Sequence, residues 1–215
     1  MQNNKLRDTL REIYNKYAQE RESSVMQEWK IEERSKFLSL LQQEQKRTLL
    51  EIGAGTGRDS KFFQDQGLET VCIDLSPAMV ELCRQKGLTA YVMDIGDIQF
   101  PDSSFDAIYS MNSLLHLTKA EFPAILRRID MLLKTDGVVF VGMYGGYDHE
   151  GIWEKDSYIP KRFYSFFTDE RLEQEVANVF DILSFNRIHF GPENPMHFQA
   201  LMLKKRSSAQ KAGYT

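Results

Sequence analysis

The chain has 215 residues, 42% of them hydrophobic and 27% charged. At roughly 100–200 residues per domain this is one domain with a small appendage, long enough to bury a core without disulfides or a structural metal. Twenty-seven Lys and Arg stand against 31 Asp and Glu, a net charge of −4; this supplies no overall attraction to a phosphate backbone and weighs against a dedicated nucleic-acid binder.

Residues 3–45 contain neither Gly nor Pro, and apolar residues recur at helical spacing: Leu6, Leu10, Ile13, Tyr14 and Tyr17, then Trp29, Phe37, Leu38 and Leu41. The spacing predicts two or three amphipathic helices, a cap over residues 1–47. The opening MQNNKLRDTLREIYNKYAQE has no apolar targeting segment, and no apolar run approaches the ~18 residues of a membrane span, so the expected setting is reducing and cytoplasmic. From residue 48 short apolar runs at 48–52, 69–73, 89–93, 105–110 and 137–143 alternate with helical stretches at 58–66, 77–85 and 119–133. Pro77 suits the first turn of its helix, with Ser76 as N-cap. Such alternation predicts an α/β fold with a doubly wound, mostly parallel sheet. A helix at 169–179 precedes runs at 180–189 and 197–204 joined by GPENP. With no helix between them, these two form an antiparallel C-terminal hairpin. The main domain therefore spans 48–204, and the polar basic tail 205–215 is expected to be disordered. Cys72 and Cys83 lie in no Cys-x-x-Cys or Cys/His cluster and read as buried apolar thiols, with no metal site.

The segment T-L-L-E-I-G-A-G-T-G-R-D-S follows the first strand and opens a helix. Gly53, Gly55 and Gly57 permit a tight turn and a close approach of ligand to backbone, under the amides of a helix N-terminus. Arg58 stands where the dinucleotide fingerprint needs its third glycine, which tells against a nicotinamide or flavin enzyme. Asp74 lies 21 residues after Gly53, at the end of the second strand, where a carboxylate accepts hydrogen bonds from ribose hydroxyls. Asp94 ends the third strand in M-D-I-G-D-I-Q-F-P-D-S-S-F-D, within reach of an adenine amine in the same crevice. Either acid alone reads as a helix cap or loop carboxylate; the ordered set reads as a nucleoside site.

Four stretches carry a resemblance: E-I-G-A-G-T-G (51–57), I-D-L-S-P-A-M (73–79), the Asp94 segment (93–106) and L-L-K-T-D-G-V-V-F (132–140). The chain resembles class I S-adenosylmethionine-dependent methyltransferases of the small-molecule type, a group that includes quinone-biosynthesis methyltransferases. Thr135-Asp136 departs from the family's usual Pro-Gly, in a turn away from the cofactor. The resemblance implies a Rossmann-like seven-stranded sheet whose last hairpin contains one reversed strand. It implies S-adenosyl-L-methionine as cofactor and S-adenosyl-L-homocysteine as product. On the residues of this chain it implies that Glu51 holds the methionine ammonium, and that Gly53, Ala54 and Gly55 pack under the methionine and ribose. Asp74 takes the ribose hydroxyls, Leu75 and Met79 cover the adenine, Asp94 and Ile95 meet its edge, and Met111 and Asn112 lie beside the transferring methyl.

On the acceptor side, His116 in N-S-L-L-H-L is the candidate catalytic residue; its alternative is a packed or capping histidine. Tyr144, Tyr147, Asp148 and His149 follow the fifth strand in M-Y-G-G-Y-D-H-E-G, at the edge where doubly wound sheets bind ligands. Tyr14 and Tyr17, three residues apart, share a helix face and with Trp29 form a candidate aromatic wall; core packing is the alternative for each. The insert 152–167 is rich in aromatics, holds Lys161 and Arg162, and reads as a lid or pocket wall, its two cations either favouring an acidic substrate or standing as solvated charges. The expected activity is methyl transfer to a small-molecule acceptor, with no nucleic-acid or membrane partner, in a monomer or homodimer. The alternatives are a methyltransferase acting on protein or RNA, and a non-catalytic module that binds the same nucleoside. The N/D-P-P-Y/F sequence of amino-methylating nucleic-acid enzymes is replaced here by Asn112-Ser113-Leu114-Leu115.

Overall fold

The computed structural model describes residues 2–207. Three helices, α1 (Gln2–Lys16), α2 (Ala18–Ser23) and α3 (Glu28–Gln43), precede β1 (Thr48–Ile52). Then follow α4 (Arg58–Asp65), β2 (Glu69–Asp74), α5 (Pro77–Gln85), β3 (Thr89–Val92), β4 (Phe105–Met111), α6 (Phe122–Leu132) and β5 (Leu133–Gly145). The chain continues through β6 (His149–Ile152), β7 (Phe163–Phe166), α7 (Asp169–Ala177), β8 (Phe180–His189) and β9 (His197–Lys205). Residues 208–215, most of the tail expected to be disordered, lie outside the described residues.

Seven strands form one sheet in the order β3-β2-β1-β4-β5-β9-β8. The first five run parallel, and β9 is antiparallel to both β5 and β8. The expected reversed strand is therefore β9. Alternate residues of a strand face opposite sides, and both sides are covered here. Leu49, Tyr109 and Phe140 pack against Phe37 and Leu41 of α3 and Phe63 of α4. Leu50, Ile108 and Val139 pack against Leu126 and Ile129 of α6 and Leu172 of α7. Burial on both faces explains the near-continuous apolar runs of the central strands. Cys72 and Cys83 are buried between α5 and the sheet, as expected for apolar thiols.

Two boundaries differ from the sequence reading. Helix α6 starts at Phe122 rather than near 119, because Thr118 and Glu121 close a turn of their own: the Glu121 carboxylate accepts from the Thr118 amide and hydroxyl at 3.0 and 2.7 Å. The insert is also more ordered than a simple lid. Its Phe163–Phe166 segment pairs antiparallel with His149–Ile152 as a separate two-stranded sheet.

The cap is tied to the sheet domain by polar contacts. Asn15 Oδ1 accepts from the Ser76 hydroxyl at 2.6 Å and from the Ala78 amide at 3.1 Å, so α1 caps the start of α5. Ser76 in turn accepts from the Met79 amide at 3.2 Å, a cap worth about 1 kcal/mol. Arg58 donates to the Arg21 carbonyl at 2.6 Å, pinning α2 above the glycine loop.

At the opposite edge Asp106 ties β4 to β1, accepting from the Thr48 amide and hydroxyl at 2.9 and 2.8 Å. Partial burial disfavours its charge, but these bonds, the Arg47 amide and Lys134 outweigh it and hold its pKa down to about 2. A carboxylate depressed below its unfolded value near ~3.9 stabilises the fold above that pH and loses the contribution as pH falls through the folded value. The Asp106→Asn variant is therefore expected to lose less stability than the parent between pH 4 and pH 2, measured by urea unfolding across that range.

Candidate functional site

Strand β1 lies between β2 and β4, which the chain reaches in opposite directions; a crevice opens at the carboxyl ends of strands around such a switch point. The glycine turn is pinned there, with the Gly53 and Ala54 amides both donating to the Ile73 carbonyl at 2.9 and 3.0 Å. Gly53 has φ +72°, and a Cβ on it would lie 2.2 Å from Ser113 Cβ. Both facts demand glycine. Asp74 accepts from the Gly55 amide at 2.8 Å and from the Ser76 amide at 2.8 Å, which aligns its carboxylate with the turn. Burial lifts its pKa to about 6 against the pull of these amides, so at neutral pH it is an anion with lone pairs free for further donors.

Above the turn is a cavity of about 1110 Å³ including its open mouth, roofed by Leu6, Arg7, Leu10, Ile13 and Tyr14 of α1. At the far end of this cavity His116 is half-buried between three segments. Its Nδ1 is 2.8 Å from the Phe163 carbonyl, which can only accept, so Nδ1 carries the proton. Nε2 is then the acceptor for the Tyr14 hydroxyl at 2.8 Å. Burial, with Arg162 nearby, pushes the His116 pKa down to about 3, so the ring is neutral. Arg162 Nη1 donates to Tyr14 Oη at 2.9 Å. The guanidinium is itself held by Asp156, which accepts from Nε at 2.9 Å and Nη2 at 2.7 Å.

A second, more polar compartment continues past the glycine turn, lined among others by Glu51, Ala54, Asn112, Arg21 and Lys30. Glu51 is buried and accepts from the Ser60 hydroxyl. Burial and the neighbouring Asp59 push its pKa well up. Asp59 pairs with Arg34 at 2.8 Å. The Asn112 Oδ1 is buried without a hydrogen-bond partner.

Residues 49–137 match the family described as a methyltransferase domain. A phosphoethanolamine N-methyltransferase of Plasmodium falciparum is 25% identical over 166 residues, 74% of this chain and 60% of that one. A tRNA N(3)-cytidine methyltransferase of Xenopus tropicalis, METTL2, is 27% identical over 164 residues, 62% of this chain and 49% of that one. The 1,6-didemethyltoxoflavin-N1-methyltransferase of Burkholderia thailandensis, solved with S-adenosylhomocysteine, superposes with a TM-score of 0.62 at 21% identity, over 86% of this chain and 93% of that one. The chain spans between 30% and 60% of the length of the first curated relatives it matches. Residues 49–137 carry a methyltransferase domain, and the chain is similar to S-adenosylmethionine-dependent methyltransferases. Its seven-stranded, mostly parallel sheet and its reversed β9 are those of the resemblance drawn from the motifs.

Most of the expected residues line two adjoining compartments that share Gly53, Gly55, Met111 and Asn112. Gly53, Gly55, Asp74, Leu75, Asp94, Ile95, Met111, Asn112, Tyr14, His116 and Arg162 line the first compartment, and Glu51 and Ala54 line the second. Asp94 is already engaged there, paired with Arg7 at 3.0 Å. Seven of the candidates lie elsewhere. Met79, expected over the adenine, is fully buried with Ala18 and Leu82, because α2 packs onto that face of α5. Tyr17 ends α1, its amide still bonded to the Ile13 carbonyl at 3.0 Å, and its ring packs on Tyr158, ring centroids 4.5 Å apart. Trp29 and Tyr144 join Phe198 in an aromatic cluster on the sheet, with centroids 4.4 and 5.5 Å from its ring. Tyr147 and His149 pack on Phe166, and Asp148 pairs with Lys119. Lys161 pairs with the exposed Glu154, the solvated-charge alternative, whereas Arg162 is buried with Asp156.

Sequence reasoning missed Arg7, Arg21, Lys30 and Asp156. The Asp156 signal was present, an acid six residues before Arg162 within the aromatic insert, but only a hairpin brings the two together. Removing one partner of a buried pair strands the other charge, at a cost of about 3–5 kcal/mol. Asp156→Ala is expected to destabilise by about 3 kcal/mol on that basis, read as a lower urea midpoint. Gly53→Ala is expected to abolish S-adenosylhomocysteine binding in calorimetry even where circular dichroism shows a folded chain.

Proposed function

We propose that this protein transfers the methyl group of S-adenosylmethionine to a small-molecule acceptor. The observation that carries the reading is that a nucleoside-type crevice, built on Gly53 and Asp74, shares one roofed cavity with the half-buried Tyr14–His116 pair. The residues present fit the donor. Asp74 keeps lone pairs for ribose hydroxyls, Leu75 and Ile95 offer apolar contact to a base, and Asp94 offers an acceptor at its edge. Glu51 would face the donor's ammonium beyond the glycine turn. When bound, the sulfonium supplies a methyl carbon already activated toward nucleophiles, so the protein's work is alignment and exclusion of water.

Tyr14 would be the group that meets the acceptor. Its proton is directed to His116 Nε2 and its oxygen receives Arg162, which leaves one lone pair of Oη for a donor hydrogen on the acceptor. A histidine with so little proton affinity serves to orient Tyr14 more than to store a proton, so His116 is a positioning residue. Enclosure supports a small acceptor: α1 roofs the cavity, and Ile152 and Phe163 of the two-stranded sheet wall it. The net charge of −4 and the Asn112–Leu115 sequence support it too. The phosphoethanolamine relatives suggest small amines as the first acceptors to try.

Calorimetry is expected to show micromolar binding of S-adenosylmethionine and S-adenosylhomocysteine, weakened at least tenfold by Asp74→Ala; absent binding, or NAD binding instead, sinks the reading. With an acceptor found by a labelled-donor screen of amines, phenols, thiols and carboxylates, Tyr14→Phe and His116→Ala are each expected to lower kcat about 100-fold or more. Donor affinity should stay within twofold. Tight, salt-sensitive binding of RNA would transfer the assignment to a macromolecular acceptor.

A further inference from the structure

Arg7 of α1 joins two acids that line the cavity. Its Nε is 3.0 Å from Asp94 Oδ2, and its Nη2 is 2.8 Å from Glu121 Oε1. The other Asp94 oxygen, Oδ1, accepts from the Gly96 amide at 2.7 Å. Both oxygens of the acid expected at the adenine edge are thus engaged by the chain's own donors.

The guanidinium has a seat shaped to it. A Cβ on Gly96 would lie 2.2 Å from Arg7 Nη2 and 2.9 Å from its Cζ. Gly96 does not have a positive φ, so backbone conformation does not require glycine there; the close approach of Arg7 does. The three charged side chains are each about a quarter exposed, at 28, 26 and 24%. The bridge is therefore neither a fully solvated surface pair nor a sealed core pair, and one of its partners can be exchanged without burying a bare charge.

The two acids differ in what else they do. Glu121 uses its second oxygen to close the turn before α6, accepting from the Thr118 amide and hydroxyl. Asp94 faces the crevice beside Ile95. A base amine is a neutral donor, and on a carboxylate it is weaker than a guanidinium. It takes Asp94 Oδ2 only if the arginine, which cannot give up its charge, keeps a carboxylate elsewhere. Glu121, already 2.8 Å from Nη2, is that carboxylate.

We propose that Arg7 is an internal competitor for the donor's base: it holds Asp94 in the donor-free chain and passes to Glu121 alone when the base amine binds. This rests on the donor-site reading above and goes beyond it, to a self-inhibiting contact between cap and crevice. The contact that ties the N-terminal part of α1 to the segment after β3 is the one the donor breaks. Donor entry and release of that part of the roof are then one equilibrium, biased by the donor's preference for the state with Asp94 free.

The experiment is calorimetry of S-adenosylhomocysteine on the full chain and three variants, with circular dichroism to check each fold. Arg7→Met removes the competitor and is expected to tighten binding at least threefold. Glu121→Gln keeps an amide oxygen for Thr118 but leaves Arg7 no second carboxylate, so it is expected to weaken binding at least threefold. The double variant should match Arg7→Met, because Glu121 acts on the donor only through Arg7. Opposite signs in the two single variants separate a competitor from a brace of the cap, for which both would weaken binding. Arg7→Met with unchanged or weaker affinity overturns the proposal, and so does Glu121→Gln with unchanged or tighter affinity. If the parent does not bind S-adenosylhomocysteine, the donor-site reading falls first and this one with it.

Discussion

The position of β1 between β2 and β4 is the constraint on which the site depends. The chain reaches those neighbours by leaving in opposite directions, and no helix can cover the sheet edge where the connections part. The glycine turn falls at that edge because β1 ends there. Its first two amides are spent on the Ile73 carbonyl of the neighbouring strand, so the turn cannot shift without breaking the register of β1 on β2. Asp74, next along β2 after Ile73, is then placed by the same register to accept from the Gly55 amide. One parallel pairing thus sets both the turn and the acid.

The cap supplies what the sheet lacks. A doubly wound sheet leaves the mouth of its crevice open; here α1 closes it, and the closure is specified by polar contacts rather than by apolar area. Ile13 is the one residue of α1 fully withdrawn from solvent among those described there, while Asn15 caps α5 and Arg7 bridges Asp94 and Glu121. The same helix delivers Tyr14 to His116. Tyr14, His116 and Arg162 are separated by about a hundred residues at one step and fewer than fifty at the next. Each reaches its hydrogen bonds only when the cap, the segment after β4 and the two-stranded sheet are all docked. Functional geometry and docking are therefore coupled, and the buried Asp156–Arg162 pair is the charge balance that makes the coupling tolerable.

Much of the cofactor side was legible in the chain because its determinants are local. A strand, a glycine turn and a helix follow each other within a few residues, and the acids fall at strand ends whose order the alternation already implies. The acceptor side was less legible because helical spacing says which residues share a face but not what that face meets. Tyr14 and Tyr17 are a helical turn apart, yet only Tyr14 lines the cavity, because Tyr17 packs on Tyr158 of the insert. Trp29 and Tyr144, read as possible pocket aromatics, meet Phe198 from the last strand, a partner more than fifty residues from the nearer of them. The insert read as a wall does contribute one, but through strand pairing that its own composition did not announce.

The amino-acid sequence by itself determined the α/β class, the glycine turn with its ribose acid, and the antiparallel ending, since these follow from periodicity, backbone conformation and the length of connections. Only the tertiary structure decided which aromatics enter the cavity, which acid each cation meets, and that His116 is neutral and bound to Tyr14. Those properties belong to contacts between distant segments, and burial, counter-ion and hydrogen-bond partner do not exist until the segments meet.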